Sequence, residues 1–465
     1  MQVSRPIIFY MPVQFVIELG KKLKAHPPTW NYKIEYFNYL VHYLTVIQNQ
    51  QKDNEYFSIN TKYLMNITVW NINQYIKYLV NGDLLLRDNY TVGEKTYHYK
   101  INPDYLGGFR QYEVQPGTKL FSKLIQNLIL RRSHTNRLAP HLKRMYELFK
   151  EIDFDYEKAE EWIQSQPDET KQYYYLTSLQ MIRDKRFRYF KRNKTNNRLD
   201  TNLTNLKSEL RQFVEGDYVS IDLANSQPFF LNILLNHIKD NIFNTNTKDI
   251  PLCSGLLGID IIQWFGKQQY KALAKIHQNE PFFKKGELLK FQDSVVRGLF
   301  YDDLKSSLID DHLSRDDVKD IVFAILFSRN KIYKDHRRIE PYFKEKRLFA
   351  KVYPTIYKIV YLLKNKDHTK LSVFLQSMES KVFIDIICPE LVSQDIIPLT
   401  IHDSIIIPRH QAKEARQICE KTFDNYFSMI PKFHIQSLWN ENVNEGAAGP
   451  QKGFQIKIAY PALIH

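Results

Sequence analysis

Two apolar segments far apart in the chain each carry an aspartate where a strand ends or turns. Residues 218–222 read Tyr-Val-Ser-Ile-Asp, an alternating strand pattern that ends at Asp222. Residues 398–407 hold the pair His402-Asp403 between two apolar runs, which predicts a hairpin with Asp403 at its tip. Such a hairpin can bring Asp403 beside Asp222. The fold is thereby restricted to one with a sheet assembled from distant segments.

Two neighbouring carboxylates suit the coordination of Mg²⁺, which prefers hard oxygen ligands and binds through one or two carboxylates together with substrate phosphates. Two such ions about 3.5 to 4 Å apart can activate an attacking hydroxyl and stabilise a leaving pyrophosphate. An aspartate at a strand end is also a common helix cap or turn residue. Neither Asp222 nor Asp403 therefore decides the matter alone.

A row of basic and aromatic residues lies between these segments. Its members follow one another at four-residue intervals: Arg315, Lys319, Phe323 and Phe327. They therefore share one face of a predicted helix. A guanidinium and an ammonium one turn apart can bind adjacent phosphates, and the two phenylalanines can contact a sugar and a base. The alternative is an ordinary amphipathic helix with two solvated cations and two core phenylalanines.

The composition favours a large protein with a polyanionic partner. The 465 residues exceed the usual size of a single core, so two or more domains are expected. The net charge of +14 favours nucleic acid, with a basic surface of no specific role as the alternative. The three cysteines form no CxxC pair, and no apolar run is long enough to span a membrane. These features predict a cytoplasmic protein without structural zinc or disulfides.

The first 115 residues have the pattern of three helices followed by a hairpin. Apolar residues recur at helical spacing in residues 34–46, 62–65 and 69–80. Two extended runs then flank a turn at residues 89–93. This order resembles a winged-helix module, which commonly places its third helix in a DNA groove. On that resemblance Asn73 and Lys77 contact DNA; the alternative is a module that only packs against a neighbouring domain or protein.

Residues 116–200 are predicted to form a helical connector that becomes more basic toward its end. The segment 183–198 mixes arginines and lysines with Phe187, Tyr189 and Phe190. Basic residues interleaved with aromatic ones suit phosphate neutralisation and base stacking. A nucleic-acid contact is therefore predicted here, with a solvated charged face as the alternative.

Taken in order, three segments resemble motifs A, B and C of the family A DNA polymerases and of the related single-subunit phage-type RNA polymerases. Motif A places a metal-binding aspartate after an apolar strand, as at Asp222. Motif B has arginine, lysine and, in the DNA enzymes, an aromatic residue at four-residue intervals before Tyr-Gly, and it matches the row from Arg315 to Phe327. Motif C is His-Asp in a hairpin and matches His402-Asp403.

Two further segments extend the resemblance, which covers roughly residues 180–465. The stretch around Arg198 is similar to a Gly-Arg-Leu segment upstream of motif A, whose arginine lies near the primer-template duplex. Gln376 lies in a segment similar to one before motif C that also touches the duplex. The ordered combination is specific, although each motif alone is not.

The resemblance implies a role for each matching residue. Asp222 and Asp403 would bind two Mg²⁺ ions, for which Mn²⁺ could substitute. Arg315 and Lys319 would bind the triphosphate, Phe323 the sugar, and Phe327 the nascent base pair or template junction. Arg198 and Gln376 would contact the duplex. His402 would support the primer end or the loop. The implied partners are a DNA primer-template, nucleoside triphosphates and replication proteins.

Three positions depart from the family pattern. Gln227 stands where the DNA enzymes have a glutamate that blocks a ribose 2′-hydroxyl and the phage-type RNA enzymes have glycine. The bulk of Gln227 and the aromatic Phe323 favour DNA synthesis, whereas Ser404 after the motif C aspartate is the form found in the RNA enzymes. Phe327-Ser328 replaces Tyr-Gly, which removes a hydroxyl and a flexible residue but leaves phosphate binding intact. The choice of sugar therefore stays open.

The expected fold is α+β, a right-hand polymerase preceded by a winged-helix domain at residues 1–115. Residues 116–200 would form a thumb-like connector, and residues 201–465 a palm with an antiparallel sheet and helical fingers inserted at about 240–345. The expected function is DNA-directed DNA synthesis without proofreading in a phage, plasmid or mobile element. The alternatives are a single-subunit RNA polymerase or primer-synthesising enzyme and an inactive replication factor. A Ser-His-Asp hydrolase is excluded because its triad would be three adjacent residues in one hairpin.

Overall fold

The computed structural model shows an α+β fold that is mostly helical, with small antiparallel sheets. It describes residues 5–50, 56–88, 97–132, 137–240, 255–269, 271–273, 286–308, 312–334 and 337–438. The predicted turn at 89–93 and the segments 241–254 and 274–285 of the predicted fingers lie outside the described residues. Across the described ranges, no helix is both long and apolar enough to cross a membrane.

The strands of the described residues pair in two-stranded sheets and in one four-stranded sheet. They are β1 (Ile7–Pro12), β2 (Leu85–Arg87), β3 (Tyr99–Ile101), β4 (Phe109–Val114), β5 (Phe190–Arg192), β6 (Leu199–Thr201), β7 (Tyr218–Leu223), β8 (Gly255–Leu256), β9 (Ile259–Asp260), β10 (Ile332–Lys334), β11 (Arg337–Ile339), β12 (Leu399–Ile401), β13 (Ser404–Pro408) and β14 (Phe433–Ser437).

The helices account for most of the remaining ordered backbone. They are α1 (Val13–Ala25), α2 (Ile34–Gln50), α3 (Thr61–Ile67), α4 (Ile72–Asn81), α5 (Lys119–Arg132), α6 (Pro140–Glu151), α7 (Tyr156–Gln164), α8 (Glu169–Arg183), α9 (Asn202–Asn205), α10 (Ser226–Ile238), α11 (Ile261–Phe265), α12 (Glu287–Val296), α13 (Phe300–Leu308), α14 (Arg315–Phe327), α15 (Phe343–Val352), α16 (Pro354–Leu363), α17 (Thr369–Ser380), α18 (Cys388–Ser393) and α19 (Ala412–Phe427). A π-helical stretch, Lys381–Ile387, joins α17 to α18.

The first buried cluster draws its side chains from β1 to β4 and from helices α1 to α5. Helices α2, α3 and α4 precede the β2–β3 hairpin in the predicted order. Phe57 forms an isolated bridge with Tyr99 at the edge of that hairpin. Strands β1 and β4 pair along their whole length, an addition that the sequence pattern did not indicate. The assignment of this unit as a winged helix stays a prediction.

The second buried cluster surrounds the four-stranded sheet, whose strand order is β12–β13–β7–β14. Strand β7 is interior, and its buried residues Val219, Ile221 and Leu223 alternate with more exposed ones, as a half-buried strand requires. Helix α19 packs on β7, and α10, which follows β7, packs against α17. The sheet and these helices position the site described below.

Helix α8 connects the N-terminal cluster to the rest of the chain. The Tyr173 hydroxyl donates to the carbonyl of Tyr10 at 3.1 Å and lies 3.2 Å from His42 Nδ1. Just beyond α8, the Arg186 guanidinium donates to the carbonyl of Arg5 at 2.7 Å. These contacts run between the predicted connector and the predicted N-terminal domain, whose boundaries stay predictions.

Two arginines of the basic segment 183–198 are buried and so are less accessible to a nucleic acid than their charge suggests. Arg188 is buried, and its guanidinium donates to four backbone carbonyls, those of Ile182, Phe149, Lys150 and Ile152. Arg186 is also buried and pairs with Asp184 at 2.7 Å. The predicted nucleic-acid contact is wrong for these two arginines, because each serves as an internal hydrogen-bond donor.

Candidate active site

The four-stranded sheet brings the two aspartates of the sequence analysis together. In the antiparallel pair of β7 and β13, Asp222 lies opposite Ser404. Asp403 precedes Ser404 in the turn between β12 and β13, and its carbonyl accepts a hydrogen bond from the Leu223 amide at 3.4 Å. Both carboxylates therefore lie at the same end of two adjacent strands.

The hairpin is closed by a two-residue loop, His402 and Asp403, between the paired residues Ile401 and Ser404. His402 has a φ of 55°, and a positive φ in the loop matches the twist of the flanking strands. The Ser404 hydroxyl donates to the carbonyl of Ile401 at 2.8 Å. The predicted hairpin with Asp403 at its tip is thus present, held by the loop geometry and by this hydrogen bond.

Both carboxylates bind protons more readily than usual, because they are buried beside other acids. Burial is the largest cause and the Glu379 charge the second, and together they raise the pKa of Asp222 to about 6. Burial, followed by the charges of Asp222 and Glu379, raises the pKa of Asp403 well above its usual range, and Arg198 opposes this shift. Negative charge in a desolvated volume is the condition under which a bound cation is most stabilising.

Glu379 of α17 is a third acidic residue at this site, and sequence reasoning missed it. Its side chain is fully buried. Its Oε1 accepts from Arg198 Nε at 2.8 Å, and its Oε2 accepts from the Ser226 hydroxyl at 2.8 Å and from Gln227 Nε2 at 2.6 Å. The available signal was that Glu379 is the only acidic residue in the sequence of α17. Acids are rarely buried unless they are paired, as Glu379 is here.

Two residues predicted to contact a duplex make internal contacts instead. The Arg198 side chain is only 13% exposed and forms an ion pair with Glu379. Gln376 is buried, and its Oε1 accepts a hydrogen bond from Asn196 Nδ2 at 2.9 Å. The Arg198 charge also acts on Asp403. The contact of both residues with a duplex stays a prediction.

His402 is held neutral by its surroundings. Burial, with smaller effects from the charges of Arg198 and Arg211, lowers the pKa of the His402 ring to about 3. Its Nδ1 atom is buried without a hydrogen-bond partner among the described residues. A neutral imidazole with an unpaired nitrogen beside Asp403 can accept or donate a hydrogen bond to a ligand.

Helix α14 carries the predicted basic row at its exposed beginning. A capping box between Ser314 and Asp317 fixes its first turn. Arg315 is exposed and lies 3.3 Å from an Asp302 carboxylate oxygen, and Lys319 pairs with Asp316 at 2.9 Å. Exposed pairs of this kind contribute at most about 1 kcal/mol. Both cations can therefore exchange these partners for a more highly charged anion.

Tyr301 of α13 links the helix to the aspartates. The Arg315 guanidinium lies 5.5 Å from the centre of the Tyr301 ring. Burial raises the pKa of the Tyr301 hydroxyl, the Asp403 charge raises it further, and the Arg315 charge lowers it. Both charges act on one hydroxyl, so Tyr301 is near Arg315 at the start of α14 and also near Asp403.

The two phenylalanines of the row lie further along α14. Phe323 and Phe327 are partly buried, with ring centroids 5.5 Å apart. The remaining apolar residues of the helix are buried and anchor it: Val318, Ile321, Val322, Ile325 and Leu326. One helix thus presents cations at its start and aromatic surface at its end, as the spacing predicted.

Gln227 lies in the first turn of α10, directly after β7. Asn225, with a φ of 55°, turns the chain from the strand into the helix. The Gln227 amide nitrogen binds Glu379, while its Oε1 is buried without a hydrogen-bond partner among the described residues. The amide of Gln227 is therefore held through its nitrogen, while its oxygen has no hydrogen-bond partner among the described residues.

The predicted DNA-contacting residues of the N-terminal unit lie on a different cluster from the aspartates. Asn73 and Lys77 are exposed on α4, opposite its buried face. Trp70, just before α4, is 80% exposed. The structure thus leaves this helix face open, and its contact with DNA stays a prediction.

The protein supplies few metal ligands by itself. Within the described ranges, no group of three or more His, Cys, Asp or Glu side chains is arranged to hold a metal ion. Glu379 shares both carboxylate oxygens among Arg198, Ser226 and Gln227. Asp222 and Asp403 remain as the acidic pair, so any bound cation must take most of its ligands from water or substrate.

Comparisons with known proteins give a distant structural likeness. No family model matches the chain, and no curated protein matches its sequence. Among solved structures, it is similar to the POL domain of Pol1 from M. smegmatis in complex with DNA primer-template and dNTP. The TM-score is 0.28 at 10% identity, over 68% of this chain and 64% of that chain. The function proposed below rests on the geometry of the site and not on this likeness.

Proposed function

We propose that the protein is a template-directed nucleotidyltransferase, a DNA-directed DNA polymerase without proofreading that serves a phage, plasmid or mobile element. The observation that carries the proposal is the pairing of β7 with β13, which holds Asp222 and Asp403 at neighbouring positions. Burial and neighbouring negative charge raise the pKa of both carboxyl groups. A site of this kind is suited to divalent cations and phosphoryl transfer.

Asp222 and Asp403 would hold Mg²⁺, or Mn²⁺ in its place. Two carboxylates fit Mg²⁺ because this ion keeps several waters and takes its other ligands from substrate phosphates. When bound, Mg²⁺ supplies charge that eases deprotonation of a primer 3′-hydroxyl and departure of pyrophosphate. Glu379 is not assigned as a ligand, because its oxygens are already engaged.

The start of α14 would bind the triphosphate. Arg315 and Lys319 are one helical turn apart, and Arg315 lies near the ring of Tyr301, on whose hydroxyl the Asp403 charge acts. Their present partners are single exposed carboxylates, which a triphosphate can displace. Phe323 would meet the sugar and Phe327 the nascent base pair.

The rest of the chain would bind and direct the DNA. Residues 1–115 would form a winged-helix domain that contacts DNA through α4, residues 116–200 a thumb-like connector, and residues 201–465 a palm with fingers inserted at about 240–345. The order of α2, α3, α4 and the β2–β3 hairpin supports the first assignment. The sheet β12–β13–β7–β14 supports the palm. Replication proteins would be further partners.

Primer extension on a DNA template tests the proposal. Deoxynucleotides and ribonucleotides are offered separately with Mg²⁺, and templated incorporation of deoxynucleotides that stops on chelation is expected. Incorporation of neither sugar would overturn the proposal. Preferential incorporation of ribonucleotides would replace it with the RNA polymerase or primer-synthesising alternative.

A further inference from the structure

Glu379 is the one fully buried acid that contacts both the strand-end helix α10 and the arginine before β6 in the described part of the chain. Its carboxylate pairs with the Arg198 guanidinium, and carboxylate oxygens accept hydrogen bonds from donors. The Gln227 atom that lies 2.6 Å from Glu379 Oε2 must therefore be the amide nitrogen. The reversed amide would set two acceptors against each other.

This contact fixes which atom of the Gln227 amide faces away from Glu379. With the nitrogen bound to Glu379, the carbonyl oxygen Oε1 points away from Glu379, where it has no partner among the described residues. A buried acceptor without a donor is costly, so a donor from water or from a ligand is expected there. Gln227 follows Asp222 around the sharp turn at Asn225, and its partner Glu379 acts electrostatically on both Asp222 and Asp403.

We propose that Glu379 is a positioning residue that holds the Gln227 amide with its carbonyl oxygen available to a sugar hydroxyl of the incoming nucleotide, and so contributes to the choice of sugar. The proposal rests on the proposed function. It gives Gln227 a hydrogen-bonding role besides that of its bulk. The Ser226 hydroxyl, which shares Glu379 Oε2 with Gln227, further fixes the carboxylate.

The incoming sugar has two candidate donors, the 2′-hydroxyl and the 3′-hydroxyl. Ribonucleotides carry both, deoxynucleotides only the 3′-hydroxyl, and dideoxynucleotides neither. Single-nucleotide incorporation with these three substrates therefore identifies the hydroxyl that Gln227 Oε1 accepts. The measured quantity is the ratio of kcat/KM between substrates that differ by one hydroxyl.

Two variants test the arrangement. Gln227→Met keeps the approximate volume and removes the acceptor, and one of the two ratios is expected to fall about three- to tenfold, the effect of one hydrogen bond. Glu379→Asp keeps the charge that Arg198 needs but withdraws the carboxylate from Gln227. The same ratio is expected to fall in the same direction, and the double variant should add little to Gln227→Met.

The matched control is Glu414→Asp, the same change at an exposed position of α19, and it should leave both ratios unchanged. Circular dichroism and thermal unfolding confirm that each variant is folded.

Unchanged ratios in Gln227→Met overturn the proposal. So does a folded Glu379→Asp that slows all three substrates equally, because a purely structural residue would act in that way. If Glu379→Asp does not fold, Glu379→Gln takes its place as the second variant. It retains an acceptor but adds an amide, and the same ratio is expected to fall. A wild-type protein that incorporates no nucleotide defeats the proposed function itself, a result distinct from either of these.

Discussion

Ser404, the residue after Asp403, lies directly opposite Asp222 in the antiparallel pair of β7 and β13. Directly opposed residues in such a pair have Cβ atoms about 4.5 to 5.5 Å apart, so Asp222 lies close to the turn that carries Asp403. The Asp222 charge contributes to the raised pKa of Asp403, so a change of charge at Asp222 is felt at Asp403.

Replacing either aspartate with asparagine should remove catalysis. We expect Asp222→Asn and Asp403→Asn each to reduce nucleotide incorporation about a thousandfold or more, because loss of a metal ligand removes several kcal/mol of transition-state stabilisation. Binding of primer-template, measured by fluorescence anisotropy, should change little. Asp424→Asn, at an exposed position of α19, is the control and should retain full activity. Activity near that of the wild type in either aspartate variant would contradict the metal assignment.

Stability should fall as the pH rises through the range in which the aspartates lose their protons. The pKa of Asp222 is raised to about 6 in the folded protein, above the value near 3.8 of the unfolded chain. Between these values the folded state binds a proton that the unfolded state has released, so the free energy of unfolding decreases with pH by up to about 1.4 kcal/mol per unit. Urea unfolding between pH 4 and 7 in the presence of a chelator measures this slope.

The control for the pH experiment is the same series with Asp222→Asn. The variant cannot ionise at this position, so its slope should be shallower than that of the wild type, with the remainder due to Asp403 and other groups. Mg²⁺ added near pH 7 should recover stability in the wild type and much less in the variant. Identical slopes for the two proteins would show that Asp222 is not desolvated.

Arg188 should matter for stability although it belongs to a basic stretch. Arg188→Met leaves several buried carbonyls without donors, and we expect a loss of about 3 kcal/mol in the free energy of unfolding. Lys194→Met, at an exposed position of the same segment, should change it by less than about 0.5 kcal/mol. Urea titration compares the two. Equal losses would mean that the carbonyl contacts are not maintained in solution.

Arg315 and Lys319 should affect substrate binding more than stability. We expect Arg315→Ala and Lys319→Ala each to raise the KM for nucleotide about ten- to a hundredfold, the effect of a lost charge-assisted contact. Their exposed ion pairs contribute little, so unfolding should shift by less than about 0.5 kcal/mol. Lys344→Ala, an exposed lysine of α15, serves as the control. An unchanged KM in both variants would remove α14 from the nucleotide site.

Local sequence patterns predicted the elements that carry the aspartates. The alternation ending at Asp222 is strand β7, and the apolar runs around Asp403 form the β12–β13 hairpin. Each of these signals is contained within a few neighbouring residues. Backbone geometry and side-chain periodicity are sufficient to fix them.

Sequence patterns did not predict the contacts between distant segments. Nothing around Glu379 indicates that it meets Arg198 and Gln227, because those partners are brought close only by the packing of α10 on α17. Likewise, Arg188 has the charge of a phosphate-binding residue, and only the folded chain shows the carbonyls around it. The charge and spacing of a side chain indicate what it is able to bind. Its surroundings in the folded chain determine which partner it does bind.

The interior position of β7 also constrains the order in which the protein is built. Both neighbours of β7, the strands β13 and β14, are translated long after it. On the ribosome, the emerging apolar strand 218–223 therefore has two unpaired edges until the later segments arrive, and such edges invite association with other chains. Pairing across so long a loop is also slow. A nascent chain at this stage is expected to depend on chaperones, and the proposed site is assembled only after residues 399–437 have joined the sheet.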